Sequence, residues 1–363
     1  MPTEHGTRRV ALRALLAERD VDALLVTNLL NIRYLTGFTG SNAALIVPAS
    51  DNADEDGTVI CTDGRYLTQV AEQVPDLRAV IERASAVHLV TSTEVSRLGF
   101  ESHVVTVDEH ARFTDLAGDT TLVRLPGLVE RLRMVKDEGE VALLRAACAA
   151  ADAALSALLE DGGLRPGRTE REVGRQLESL MLDHGADDIS FETIVAAGAN
   201  SAIPHHRPTE AVLAHGDFVK LDFGATVGGY HSDMTRMFVL GTVADWQRDV
   251  YDLVLHSQAA GRAALAPGVP VADVDAASRS VIEDAGYGEL FLHGLGHGVG
   301  LEIHEAPGIG KAATGTLLPG AAVTVEPGVY FSGRGGVRIE DTLVVREQGP
   351  ELLTLTSKEL TVV

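Results

Sequence analysis

Up to about residue 125 the chain alternates short apolar runs with segments of helical periodicity. VDALLVTN, AALIVPA, GTVICTD, RAVIE, HVVTV and TLVRL read as strands, since each is brief, rich in aliphatic or β-branched residues and bounded by polar or Gly/Pro positions. This alternation predicts an α/β domain with a mixed sheet. The acidic stretch ASDNADEDG lies between two of the strands and lacks the ligand spacing and terminal Glu of a calcium loop, so a solvated turn is expected there. Pro126-Gly127 interrupts the pattern. Beyond it MVKDEGEVALLRAACAAADAALSALLED predicts a long Ala/Leu-rich helix, and T-E-R-E supplies a capping box, Thr169 with Glu172, for a second. ISFETIVAAG, a strand pair near 218–240, helices over about 245–266 and 271–285, and a last strand-rich segment follow. The expected organisation is a leading α/β domain over 1–126 and an α+β domain over 127–363, with helices backing a curved antiparallel sheet.

The strand-rich segments of the second domain place acids where period-two alternation should bring them together. In VKLDFGA, Asp222 alternates with apolar Leu221 and Phe223, and a two-residue turn at Gly228-Gly229 returns the chain through HSDMTRMFVL. Asp233 then falls opposite or diagonal to Asp222 on one sheet face. AVTVEPGVYF and GGVRIEDTLVV flank the turn SGRGG, and Glu326 and Glu340 are equidistant from Gly333, so folding there sets those acids side by side as well. Like charges across a ladder cost roughly 0.2–1 kcal/mol per pair, and more when buried. Two such pairs between apolar flanks point to cations rather than to solvated surface carboxylates.

Histidines add a nitrogen donor. His297 sits in GLGHGVG, where glycines allow close backbone approach, and His304 follows in IHEAP. With His293 in the same stretch and His205-His206 in SAIPHHRP, five of the chain's 13 histidines fall in two short segments. Four carboxylates and one imidazole, Asp222, Asp233, Glu326, Glu340 and His297, form a hard-oxygen-plus-nitrogen set suited to two divalent ions that share and activate one water. That is the chemistry of a hydrolase. Arg338, two residues before Glu340, shares its sheet face and can brace a carboxylate ligand; Tyr330 is a further candidate donor.

Composition narrows the setting. At 363 residues and 45% hydrophobic content the chain can bury substantial cores. A net charge of −22, from 52 acids and 30 bases, argues against a nucleic-acid or anionic-membrane surface. Cys61 and Cys148 form no CxxC arrangement. The first twenty residues pattern as an amphipathic helix, no secretory signal is visible, and no apolar stretch approaches the roughly 18–20 residues of a membrane span. The cytoplasm is the expected location.

These motifs, taken in order, resemble those of the pita-bread metallopeptidases, and within them the Xaa-Pro branch of aminopeptidase P and prolidase. NIRYLTGFTGSNAALIV and TDGRY are similar to that branch's smaller leading domain, so the likeness spans the whole chain. It implies a C-terminal pita-bread domain of two related halves. Two divalent ions are also implied, Mn2+ foremost, with Co2+, Zn2+ or Fe2+ as alternatives; Asp222 chelates one, Asp233 and Glu340 bridge both, and His297 and Glu326 complete the other. Proton transfer between water and the departing prolyl nitrogen needs a shuttle, for which Glu326 is the expected residue; the likeness further implies His205 and His304 as substrate contacts, His293 as an additional active-site histidine, Asp222 as the partner of Arg338, and a homodimer acting on small peptides with proline in second position.

Aminopeptidase P and prolidase share this set and differ at the far end of the substrate. Prolidase-like sequences place an arginine just beyond HExP. Here that position is Gly308, and Lys311 is the lone base between Ala306 and Gly320, so an aminopeptidase accepting longer Xaa-Pro peptides is the leading expectation and a dipeptidase the alternative, with Arg207 or Arg334 as its replacement cation. A metal-free creatinase-like amidinohydrolase and a non-catalytic peptide-binding module are the competing classes; retention of all five ligand positions speaks against both.

Overall fold

The computed structural model describes residues 4–50, 55 and 57–363, and the chain divides into two compact units, Met1–Arg133 and Met134–Val363. The short helix Leu128–Arg133, beyond Pro126-Gly127, thus belongs to the leading unit. The leading unit opens with the helix Glu4–Ala17. Its sheet contains β1 (Ala23–Val26), β2 (Ala43–Pro48), β3 (Val59–Thr62), β4 (Arg78–Ile81), β5 (Arg97–Phe100) and β6 (Thr121–Arg124) in the order β4-β3-β2-β1-β5-β6. β1/β2 and β2/β3 are antiparallel, the other pairs parallel; the sheet is mixed, as the alternating pattern predicts. Leu25, Ala44, Cys61, Leu98 and Phe113 fill its core. The turn expected over 49–57 lies, its ends and Glu55 apart, outside the described residues.

One expected strand is absent from that sheet. HVVTV forms a turn leading into the helix Val107–Leu116, and RLGF before it is the strand β5. Thr106 and Glu109 make a reciprocal capping box at the helix start, and Val107 stays 85% exposed. The helix-start signal in TVDE outweighs the β-branched run, of which Val105 still packs against the core.

The second unit consists of two similar layers. Helices Glu138–Glu160 and Glu170–Asp183, each opened by a capping box (Asp137 with Glu140, Thr169 with Glu172), pack on the strands Ile194–Ala197, Phe218–Phe223 and Met234–Val239 through Leu155, Leu177, Val195, Leu221 and Phe238. Helices Asp245–Ala263 and Val271–Asp284 cover Ala322–Val325, Gly328–Phe331, Gly335–Arg338 and Asp341–Val344 through Val254, Val274, Val325, Val329 and Leu343. Burying these apolar faces on both layers leaves their polar faces to form the site. The helix Glu138–Glu160 is, against expectation, long and apolar enough to cross a membrane by length and composition, with a mean hydropathy of 1.6. Half of that stretch is buried inside the fold, as in the core helix of a packed domain.

Candidate metal centre

Phe218–Phe223 pairs antiparallel with Met234–Val239, Asp222 facing Thr235 and Phe223 facing Met234. The same register continues to the tip, where Val227 faces Tyr230 and Gly228 and Gly229 take φ values of 56° and 79°, as a two-residue type I′ turn requires. Asp233, one residue before its strand, is therefore a diagonal neighbour of Asp222. Gly224 stands opposite it, and a Cβ there would come within 1.8 Å of the Ser232 carbonyl oxygen, so no other residue fits without opening the hairpin.

The second acidic pair lies at a seam. Gly328 faces Arg338 and Phe331 faces Gly335 in one two-stranded ladder, while Val325 faces Asp341 and Ala322 faces Val344 in a different, five-stranded sheet. Register is conserved across the break, so Glu326 stands opposite Glu340 where the hairpin passes from one sheet to the other.

Gly296–Gly298 runs beside Ala322–Val325 and Glu305–Ile309. A Cβ on Gly296 would meet the Thr324 carbonyl oxygen at 2.1 Å and one on Gly298 the Ala306 oxygen at 2.2 Å; the flanking glycines let three strands press together around His297. Its Nδ1 lies 3.0 Å from the Gly298 carbonyl oxygen, which only a protonated Nδ1 can satisfy. Nε2 is then a bare acceptor, 3.4 Å from Glu326 Oε1 and 3.6 Å from Asp233 Oδ2, the tautomer a metal ligand needs.

Ligand atoms of Asp233, His297 and Glu340 lie within 4.8 Å of one another. Asp222, Asp233, His297, Glu326 and Glu340 all line a cleft of about 260 Å³, which His205, His304 and Arg338 share. His293 lines its neighbouring recess with His205, His297 and His304. The structure thus gathers every predicted site residue except Tyr330 onto these walls. Tyr330 stands behind them: its hydroxyl lies 3.0 Å from Arg338 Nη1 and 2.8 Å from His293 Nε2. With His293 Nδ1 donating to the Gly294 carbonyl, the chain runs from Arg338 through Tyr330 to His293.

Arg338 is buried and ion-paired with Asp222, and it also donates to Thr235 Oγ1 and the Pro204 carbonyl. Burial opposes its charge, but Tyr330 and the surrounding carboxylates hold its pKa above the ordinary value. Burial raises the Asp233 and Glu340 carboxyls well above their usual range, reinforced by the neighbouring acids, and pushes Glu326 up to about 7, with Asp222 adding to the shift and Arg338 opposing it. Burial also lowers His293 and His297 to about 4.

Asp222 Oδ1, Asp233 Oδ1 and Glu340 Oε1 are buried without a hydrogen-bond partner. Stranding such oxygens costs roughly 1–3 kcal/mol each, more when charged, and three of them around one bare imidazole nitrogen make a donor set that fits hard or borderline divalent cations. A stability test follows. Carboxyls whose folded pKa exceeds the unfolded value stabilise the fold below about pH 4.5 and lose that contribution as pH rises through the folded value. In chelator-treated protein the Glu326 contribution, ~3 kcal/mol, should therefore be lost between about pH 4.5 and 7, while His293 and His297 act in the opposite direction across the same range. The Glu326 part is isolated by difference: relative to Glu326→Gln, the unaltered protein should lose stability as pH rises across that range. Calorimetric scans of both proteins in chelator check this; a difference in melting temperature that stays constant with pH contradicts it.

Sequence reasoning passed over three residues. Thr235 bridges two site groups, accepting from Arg338 Nε at 3.0 Å and donating to Glu340 Oε2 at 2.7 Å. Lys220 is fully buried; period-two alternation from Asp222 was the available signal, since both side chains leave the same strand face. Glu170 sits at the start of its helix, where an acid ordinarily reads as a cap residue, and His206, which the sequence reads as a bystander, is buried against it at 2.8 Å.

Comparison with known proteins agrees with this geometry. Residues 142–347 match the model of metallopeptidase family M24, and residues 8–135 match the creatinase/prolidase N-terminal domain. The chain is 33% identical to the Xaa-Pro dipeptidase of Pyrococcus furiosus, over 94% of this chain and 96% of that one. Among solved structures, the Xaa-Pro dipeptidase from Bacillus anthracis superposes with a TM-score of 0.93 at 37% identity, covering 99% of this chain and all of that one. The X-Pro aminopeptidase from Thermotoga maritima superposes at 0.87 and 33% identity, covering 98% and 99%. Paired acids at two hairpins, a histidine freed at Nε2, and these similarities over the full length establish that the chain belongs to metallopeptidase family M24, its pita-bread domain preceded by a creatinase/prolidase-type N-terminal domain.

Proposed function

We propose that this protein hydrolyses the peptide bond between an N-terminal residue and proline, with Xaa-Pro dipeptides as its first substrates. The observation that carries the reading is the convergence of Asp222, Asp233, His297, Glu326 and Glu340 on one cleft, with buried carboxylate oxygens unpartnered. Those five residues would hold two divalent cations, for which the carboxylate-rich set favours Mn2+ over Co2+, Zn2+ or Fe2+. Bound there, the cations polarise the scissile carbonyl and acidify water. Arg338 keeps Asp222 in place and Thr235 orients Glu340. Glu326 takes a proton from the attacking water and returns it to the prolyl nitrogen. His205 and His304 stand on the cleft wall as donors to the substrate carbonyl. Phe191, Ile194 and Ile303 give the same wall an apolar side against which a proline ring, part of an amide with no N–H to grip, can be read by shape. A homodimer in the cytoplasm remains part of this proposal, on the family resemblance and the sequence.

Relatives named for Xaa-Pro dipeptide cleavage rank the dipeptide ahead of the longer peptides expected from the loop after His304. The loop itself favours the second reading: Lys311 is exposed, paired with Glu283 at 2.9 Å, and does not line the cleft. Arg334 stacks on Trp246. Arg207, by contrast, lines the cleft, with Glu192 3.1 Å away, and is the cation we assign to a dipeptide carboxylate. Arg207→Ala should raise KM for an Xaa-Pro dipeptide about five- to thirty-fold, the equivalent of ~1–2 kcal/mol, and leave an Xaa-Pro-Yaa tripeptide nearly unchanged. Assaying both peptides with metal-loaded protein decides the matter. Preference for the tripeptide would turn the assignment to an aminopeptidase, and cleavage of neither would remove it.

A further inference from the structure

Residues 203–209 carry His205 and Arg207 to the cleft wall without helix or strand of their own. A loop that presents a substrate group should wander unless something holds it. Here two buried charges do so, and neither lines the cleft.

Glu170 is wholly inaccessible to solvent. Its Oε1 accepts from the Ala197 amide and Asn200 Nδ2, both at 2.9 Å. Its Oε2 accepts from the Thr209 amide at 3.0 Å, Thr209 Oγ1 at 2.7 Å and His206 Nε2 at 2.8 Å. One carboxylate therefore ties the segment entering the loop to the residue leaving it, and grips the neighbour of His205 in between. These donors outweigh burial and hold the Glu170 carboxyl below its usual pKa.

Lys220 holds the other side. Its Nζ donates to the carbonyls of Ile203 at 2.6 Å, Pro204 at 3.2 Å and Ser201 at 3.3 Å, and Arg338 Nη1 adds a bond to the Pro204 carbonyl at 3.1 Å. Burying an ammonium costs several kcal/mol even after relaxation. A lysine whose Nζ bonds all go to main-chain oxygens, two of them in this loop and one just before it, is poorly explained by packing, which an aliphatic side chain would serve. The residue before His205 is thus fixed by cations and the residue after it by an anion.

We infer that Glu170 and Lys220 are positioning residues that act through residues 203–209 to hold the His205 ring against the substrate. The inference rests on the reading of His205 as a substrate contact. Because the clamp is rigid before substrate arrives, the donor needs no reorganisation during turnover, the condition under which such groups are most effective.

The test is a double-mutant cycle on the metal-loaded protein. Glu170→Gln should lower kcat for an Xaa-Pro peptide by about 10- to 100-fold, as outer partners of catalytic groups commonly do, with metal content unchanged. In a His205→Ala background the same substitution should change kcat less than about twofold, since its route of action is already gone. Hydrogen exchange supplies a readout free of substrate: the Ala197 and Thr209 amides should exchange faster in Glu170→Gln. Lys220→Met carries the same cycle should Glu170→Gln not fold, with faster exchange across 203–209. An equal loss of kcat in both backgrounds, or unaltered exchange, overturns the inference. An unaltered enzyme that cleaves no Xaa-Pro peptide instead defeats the substrate reading, and the exchange measurement still decides whether the clamp exists.

Discussion

Replacing Glu340 by Ala is expected to abolish turnover, and Asp233→Ala to do the same. Both side chains are buried, at 1% and 5% exposure, and each presents an unpartnered carboxylate oxygen to its neighbours. Either substitution leaves three acids to share the site, too few negative charges and too few donor atoms for the proposed pair of divalent ions. Outer partners of metal ligands cost 10- to 100-fold, so loss of a residue proposed as a direct ligand should exceed about 10³-fold. Glu340→Gln separates charge from volume: it keeps the shape and the bond from Thr235 and should be nearly as inactive. Metal analysis beside steady-state assays checks the expectation. Near-normal turnover by the unaltered protein after exhaustive metal stripping would remove the basis of the scheme.

The second large effect is on catalysis without effect on binding of the ions. His304 is exposed on the cleft, its ring centroid 4.4 Å from that of His297 in an edge-to-face contact. It lies after the strand that carries His297, on the wall rather than among the buried acids. His304→Ala should lower kcat about 10²- to 10³-fold, the usual consequence of removing one preorganised donor to a developing oxyanion, while metal content stays full. KM should change little, because a contact made chiefly in the transition state lowers kcat and kcat/KM together. Loss of metal from this variant would show instead that the ring supports His297, and that its place in the site is structural.

Much of this arrangement was legible because it is local. The Asp222/Asp233 and Glu326/Glu340 pairs follow from turn chemistry and period two, and the register in each hairpin runs unbroken from glycine turn to acids. The Thr169 box likewise marks its helix in four letters. What the sequence does not display is convergence. That the two hairpins and His297 meet depends on two helix pairs covering their layers from outside, and contacts between residues more than a hundred positions apart, such as Thr235 with Glu340 or Arg338 with Asp222, have no periodic signature. HVVTV failed for the opposite reason: its apolar pattern suggested a strand, but a four-residue capping signal decided the local structure. Lys220 escaped notice because a lysine in an apolar run ordinarily reads as the solvent face of a strand, and here both faces are covered.

The seam between the two ladders has a consequence for how this enzyme can change. Because Glu326 and Glu340 stand on opposite arms of one hairpin, equally far from Gly333, the number of residues in the tip decides whether the two carboxylates share a side. Adding one residue there would turn an arm over and aim its acid at the hydrophobic layer, whereas a balanced pair of additions would keep both in place. Tip length in this family is thereby tied to catalytic competence, and natural variation at the tip should come in even steps.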